Sequence, residues 1–190
     1  MKKLLKFSGY AVLFTAFLIE GSFAQNAWIN EIHYDNASSD MNESVEVVIE
    51  DAESYNLADF SVILYNGGNG ASYNTKTVDL FTAGAVSESY SIFYYVYPAN
   101  GIQNGAPDGV AFAYQGIVVS GQFLSYEGTF TATSGPANGL LSSDIAVSEP
   151  GTDPAGNSLQ LSGTGYIYDH FTWLSPAPET RGQLNNNQAF

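Results

Sequence analysis

Residue types that favour β-strands dominate the chain and are interrupted at short intervals by turn-forming clusters. Tyr, Phe, Val, Ile and Thr recur in short runs, and Gly, Asn and Pro separate these runs. Short strands with no helical pattern between them predict an all-β fold, an antiparallel β-sandwich. The predicted strands are residues 28–34, 44–50, 60–65, 90–97, 109–114, 117–125, 158–162 and 170–174.

Alternation within a predicted strand indicates which side is buried. In residues 44–50, Val45, Val47 and Ile49 share one face, and Glu46 lies mostly on the other. Residues 45–58 also admit a helical pattern, but the run of β-branched residues there favours a strand.

Two polar segments are predicted to be a turn and an irregular chain end. The glycine-rich stretch 66–70 (NGGNG) lies between two predicted strands and predicts a hairpin turn. The Asn- and Gln-rich stretch 183–188 (QLNNNQ) predicts a frayed end.

The first 24 residues have the features of a secretory signal peptide. Lys2, Lys3 and Lys6 precede an apolar run at 7–19, which is too short to span a bilayer. The small residues Ser22 and Ala24 predict cleavage after Ala24, so the mature chain begins at Gln25 and has no transmembrane segment. We therefore expect a secreted or cell-surface protein in which residues 25–190 form a single domain.

The mature chain is strongly acidic. Without residues 1–24 it keeps two basic residues, Lys76 and Arg181, against 18 acidic ones, a net charge of about −16. Binding to a phosphate backbone requires lysine and arginine, so we expect no direct contact with nucleic acid. The chain has no cysteine, which excludes disulfides and cysteine nucleophiles.

Several segments together resemble the lamin-tail domain family. The opening INEI of 29–32, the acidic loop after Tyr34-Asp35, and ESVEV of 43–47 are similar to its first two strands. The segment 57–66 (LADFSVILYN) is similar to the next strand, and later pieces such as 107–111, 122–128, 158–161 and 171–173 resemble a secreted bacterial branch often found beside extracellular nucleases. Ser44, Asp59-Phe60 and Arg181 depart from the family pattern.

The resemblance implies an immunoglobulin-like β-sandwich and a non-catalytic interaction module. We therefore expect a secreted binding module, accessory to an extracellular hydrolase, whose partner is a protein or a surface glycan. Six tyrosines are candidates for a glycan-stacking platform or for the rim of the core: Tyr94, Tyr95, Tyr97, Tyr126, Tyr166 and Tyr168.

The loop at 35–43 (DNASSDMNE) is the candidate metal site. Calcium takes oxygen ligands from carboxylates, amides and carbonyls, and Asp35, Asp40, Asn42 and Glu43 offer them within nine residues. An Asx-rich hairpin loop uses the same residues to satisfy its own backbone. Calcium-dependent adhesion is therefore an alternative function, and calcium is the one candidate cofactor.

Catalysis has weaker candidates. Glu31 and Glu46 are a possible carboxylate pair for a hydrolase, although they also suit a solvated sheet face or hydrogen bonds from a loop backbone. A serine-type triad requires a histidine, and His33 and His170 are the two in the chain. His33 alternates with Glu31, which suggests a solvated or cross-strand pair, and no catalytic residue is assigned.

Overall fold

The structure is a computed structural model that describes residues 26–190. The predicted signal peptide, residues 1–24, lies outside this range. The described chain contains twelve strands: β1 Ala27–His33, β2 Ser44–Glu50, β3 Phe60–Asn66, β4 Ala71–Thr77, β5 Thr82–Ser87, β6 Tyr90–Val96, β7 Asp108–Tyr114, β8 Ile117–Tyr126, β9 Ser143–Asp144, β10 Asn157–Thr164, β11 Thr172–Pro178 and β12 Gln188–Ala189.

The strands form two sheets. The first has the order β11-β10-β1-β2-β6-β5, with β12 added beside β10, and the second has the order β4-β3-β7-β8-β9. All pairings are antiparallel except β10 with β12 and β8 with β9. The prediction of an all-β sandwich is confirmed, and helix within residues 26–190 is limited to 3-10 turns of three residues.

All eight predicted strands exist, with ends that shift by a few residues. Residues 45–58 are not a helix, because β2 continues to Glu50 before short 3-10 turns begin. The hairpin predicted at 66–70 joins β3 to β4, and Gly70 adopts the positive φ of 73° that such a turn requires.

The main core lies between the two sheets. Ile29 and Val47 of the first sheet and Leu64, Phe112 and Leu124 of the second belong to one cluster of buried side chains. A smaller cluster lies against the second sheet, where Phe130, Ala132 and Ala137 pack with three larger side chains of the sheet: Ile63, Tyr65 and Phe123.

The last twelve residues cross the first sheet, and we call residues 179–190 the C-terminal strap. Asn185 is 3 % exposed and donates from Nδ2 to the carbonyl oxygens of Asn30 at 2.9 Å and Leu161 at 3.0 Å. Gln188 exchanges side-chain hydrogen bonds with Asn30, at 2.7 and 3.1 Å. The prediction of a frayed end at 183–188 is therefore wrong.

The strap fits closely where it reaches β5 and β6. Gly182 has a φ of 77°, and a Cβ there would come within 2.9 Å of the Tyr94 ring. Its carbonyl accepts a hydrogen bond from the Ala85 amide at 2.8 Å. Glycine is required at this position because the backbone conformation and the contact both exclude a side chain.

Candidate functional site

Glu31 and Glu46, the candidate carboxylate pair, are neighbours beneath the C-terminal strap. They are direct partners in the β1–β2 register, and each is 1 % exposed. The interpretation of a solvated sheet face is wrong, because the strap covers these two strands.

Both carboxylates accept hydrogen bonds from the strap. Glu31 accepts from the Thr180 hydroxyl at 2.8 Å and the Thr180 amide at 3.2 Å, and from the Ser158 hydroxyl at 2.7 Å. Glu46 accepts from the Gly182 amide at 2.6 Å and from Asn30 Nδ2 at 2.9 Å. The alternative that these acids bind loop backbone is therefore confirmed.

Burial changes the acidity of the pair. It is the largest cause of the raised pKa of Glu46, the charge of Glu31 adds to it, and the resulting pKa is about 8. Burial also raises the pKa of Glu31, against the hydrogen bonds from Ser158 and Thr180. Two carboxylates this close in a buried site disfavour double ionisation, so Glu46 retains a proton at neutral pH.

His33 is neither solvated nor paired across the strand. It is 1 % exposed, its Nδ1 lies 2.9 Å from Glu149 Oε1, and its Nε2 lies 3.0 Å from the Met41 carbonyl. Burial lowers the pKa of His33, but the hydrogen bond and charge of Glu149 outweigh it and the net pKa is raised. Because both ring nitrogens face acceptors, the imidazolium form fits the site.

Glu149 binds His33, a role that no sequence pattern indicated. Its second oxygen, Oε2, accepts from the amides of Tyr34 at 2.6 Å and Asp35 at 2.9 Å. The loop before β10 is thereby fixed to the end of β1. An acid in a Pro- and Gly-rich loop carries no sequence signal for a contact more than a hundred residues away.

The four candidate calcium ligands separate into two groups. Glu43 is 0 % exposed and accepts from the amides of Gly101 at 2.7 Å and Ile102 at 3.0 Å. The Asn42 side chain is directed to the Ala155 carbonyl at 3.4 Å. These two residues are therefore occupied with other parts of the backbone.

Asp35 and Asp40, in contrast, approach each other. Asp40 accepts from the Asn36 amide at 3.1 Å and from Asn104 Nδ2 at 3.2 Å. The pKa of Asp35 is raised by burial, by the charge of Asp40 and by a hydrogen bond between the two carboxyl groups. Within residues 26–190, no three side chains of His, Asp or Glu converge in a way that would hold a metal ion.

The tyrosines named as a stacking platform do not share one surface. Tyr97 and Tyr126 are buried, and Tyr126 stacks on Tyr34 with ring centroids 3.8 Å apart. Tyr94 lies against Gly182 of the strap. Tyr166 is 59 % exposed and lies in the segment before β11.

An open furrow of about 690 Å³ lies between the first residues of β1 and the middle of β8. Its apolar lining comes from Ala27, Val119 and Leu124, and the segment before β11 contributes one wall with Ile167, Tyr168 and Asp169. The volume falls in the range of roughly 300–1,000 Å³ typical of ligand clefts. We call this the β1–β8 furrow.

A hydrogen bond fixes each side of the furrow. The Ile29 amide donates to Gln122 Oε1 at 2.8 Å, which joins the two sheets beside the furrow. The wall is fixed at Tyr168, whose hydroxyl accepts from Trp173 Nε1 at 2.9 Å.

Comparison of the chain with protein-family models, with curated proteins and with solved structures found no match. Within residues 26–190, no helix is both long and apolar enough to cross a membrane.

Proposed function

We propose that the chain is a secreted, non-catalytic β-sandwich module of the lamin-tail type that binds a partner as an accessory to a separately encoded hydrolase. The observation that supports this proposal most is the use of its buried carboxylates. Glu31, Glu46 and Glu149 each accept hydrogen bonds from backbone amides of a distant segment. A hydrolytic pair must reach its substrate, whereas Glu31 and Glu46 are covered by the strap.

The same contacts give a structural role to two acids of the segments that resemble the lamin-tail family. Glu31 and Glu46, two acids of the segments that resemble the family, hold the final segment of the chain against the first two strands. An acid at each of these positions therefore has a structural role that does not depend on catalysis.

The experiment compares binding and turnover in one preparation. Labelled mature chain is added to the insoluble extracellular fraction of its host, and retention and release of soluble products are measured together. We expect saturable retention that unlabelled chain displaces, without turnover. Hydrolysis that Glu31→Gln or Glu46→Gln abolishes in a folded variant would contradict the proposal.

Calcium binding at residues 35–43 is the second candidate. The observation that favours it is the approach of the Asp35 and Asp40 carboxyl groups, since a cation between two such groups relieves their repulsion. It is the weaker candidate because Asn42 and Glu43 are directed elsewhere.

A further inference from the structure

The β1–β8 furrow results from the unequal extent of the two sheets. The second sheet ends in β9, which has two residues, whereas the first sheet continues past β1 into β10 and β11. On this side of the sandwich, no full-length strand of the second sheet faces β10 and β11 within residues 26–190. The furrow therefore follows from the order and length of the strands, and it is open without any movement of side chains.

The surface of the furrow combines apolar contact with negative charge. Ile167 is 45 % exposed on its wall, beside the charged side chain of Asp169. Ser143 of β9 forms part of the opposite side, and the next residue, Asp144, lines a second hollow of about 200 Å³ together with Glu127. Asp169 therefore lies in the wall of the furrow itself, and Asp144 directly follows Ser143 of its lining.

The two basic residues of the described chain lie elsewhere. Lys76 is on β4, with its Nζ 5.4 Å from the centre of the Tyr95 ring. Arg181 belongs to the strap, where it contacts Glu179 and donates to the Asn42 carbonyl at 3.0 Å. The charges that line the furrow and the neighbouring hollow are therefore all negative.

We propose that the β1–β8 furrow is a docking site for an extended peptide segment that carries apolar side chains flanked by lysine or arginine. The apolar side chains enter between Leu124 and Ile167, and the flanking cations meet Asp169 in the wall and Asp144 beside Ser143. This inference rests on the proposed binding function and names the partner of that function.

The chemistry of the furrow favours a peptide over the other partners of an exported module. A nucleic acid is repelled by these acids and by the net charge of about −16. A glycan requires many hydrogen-bonding groups, and the lining is largely apolar. A cationic peptide gains from long-range attraction during encounter and from apolar burial once bound.

The test uses fluorescence anisotropy with an eight-residue labelled peptide that alternates lysine and valine. One control peptide carries glutamate in place of lysine, and another carries serine in place of valine. We expect the lysine–valine peptide to bind most tightly, with an affinity that falls as salt increases.

The furrow variants are Ile167→Ser, Asp169→Asn and Ser143→Trp, the last of which fills the furrow. The matched controls are Leu80→Ser and Asp79→Asn. Both control positions are exposed on the 3-10 turn Val78–Leu80, between the edge strands β4 and β5 on the opposite side of the sandwich. We expect Ile167→Ser and Ser143→Trp to weaken binding about tenfold. Asp169→Asn should weaken it about threefold and flatten the salt dependence, and the controls should bind as the wild type does.

Any one of four results would overturn the inference. Equal effects of the furrow and control variants would place any cationic binding on the general acidic surface. Equal binding of the serine-containing peptide, or displacement of the peptide by a neutral oligosaccharide, would exclude a site for apolar side chains of a peptide. Retention on the extracellular fraction that persists in the furrow variants would leave the binding function intact and refute only this site.

Discussion

Glu46 lies directly opposite Glu31 in the β1–β2 register. The two carboxylates accept hydrogen bonds from two nearby amides of the same strap, those of Thr180 and Gly182. Like charges opposite each other destabilise a strand pair. Here the cost is reduced by a proton retained on Glu46 and by hydrogen bonds to each acid.

This pair predicts that stability falls as the pH rises. The folded pKa of Glu46 is raised to about 8, so its contribution to stability is greatest below its unfolded pKa of 4.5 and is lost by about pH 8. The melting temperature should therefore be several degrees higher at pH 5.5 than at pH 8.5, measured by circular dichroism. Glu46→Gln, which cannot titrate, should show a smaller pH dependence; a steeper one would contradict the assignment.

A second prediction concerns the contact between His33 and Glu149. Glu149→Ala leaves the His33 ring and the amides of Tyr34 and Asp35 without their partner, and should lower the free energy of unfolding by about 3 kcal/mol. Denaturant titration measures the loss. Asp153→Ala, in the same loop, is the control and should cost less than about 1 kcal/mol.

The same contact has its own pH dependence. The pKa of His33 is raised in the folded state, so its stabilisation is complete below its ordinary value of 6.5 and is lost as the pH rises through the folded value. In His33→Asn this part of the pH dependence should disappear. An unchanged profile between pH 6 and 8 would show that His33 is neutral throughout.

The strap supplies a third prediction through Phe190. Its ring lies 4.8 Å from that of Tyr90 and 5.7 Å from that of Trp28, measured between centroids. Phe190→Ala should lower stability by about 2–3 kcal/mol. It should also shift Trp28 fluorescence to longer wavelength, as water reaches the indole. Gln183→Ala, exposed on the same strap, should change neither quantity.

Calcium is tested by melting the wild type and the double variant Asp35→Asn/Asp40→Asn in millimolar calcium and in chelator. Since only two of the four candidate ligands approach each other, we expect calcium to shift the wild-type melting temperature by less than about 2 °C. The double variant should differ from the wild type by about 1 kcal/mol or less. A calcium-dependent gain of about 2–3 kcal/mol that the variant loses would instead establish the site.

The central strands could be predicted from the sequence because burial within the sandwich selects apolar residues along them. Residues 60–65 and 109–114 became β3 and β7, which are almost entirely buried. The edge strands β4 and β5 were not predicted, because their polar and small residues, ASYNTKT and TAGAVS, lack the alternation of a half-buried strand.

The candidate site was predicted less well for a related physical reason. Alternation identifies the face that Glu46 shares with its neighbours, but it does not show whether another segment covers that face. The strap does so with Asn185 and Gln188, polar residues whose hydrogen-bonding groups are satisfied by strand backbone and Asn30. The furrow depends on the length of β9, and a two-residue strand has no sequence pattern.

Proton binding by buried side chains makes the net charge of the folded molecule less negative. Composition gives residues 25–190 a charge of about −16, and the raised pKa values of Glu46 and His33 make the folded chain less negative than this near neutral pH. Folding at this pH therefore takes up protons from solution, and a weakly buffered sample becomes more alkaline as it refolds. In free-solution electrophoresis, the mobility of the folded form should correspond to a smaller negative charge than its sequence indicates.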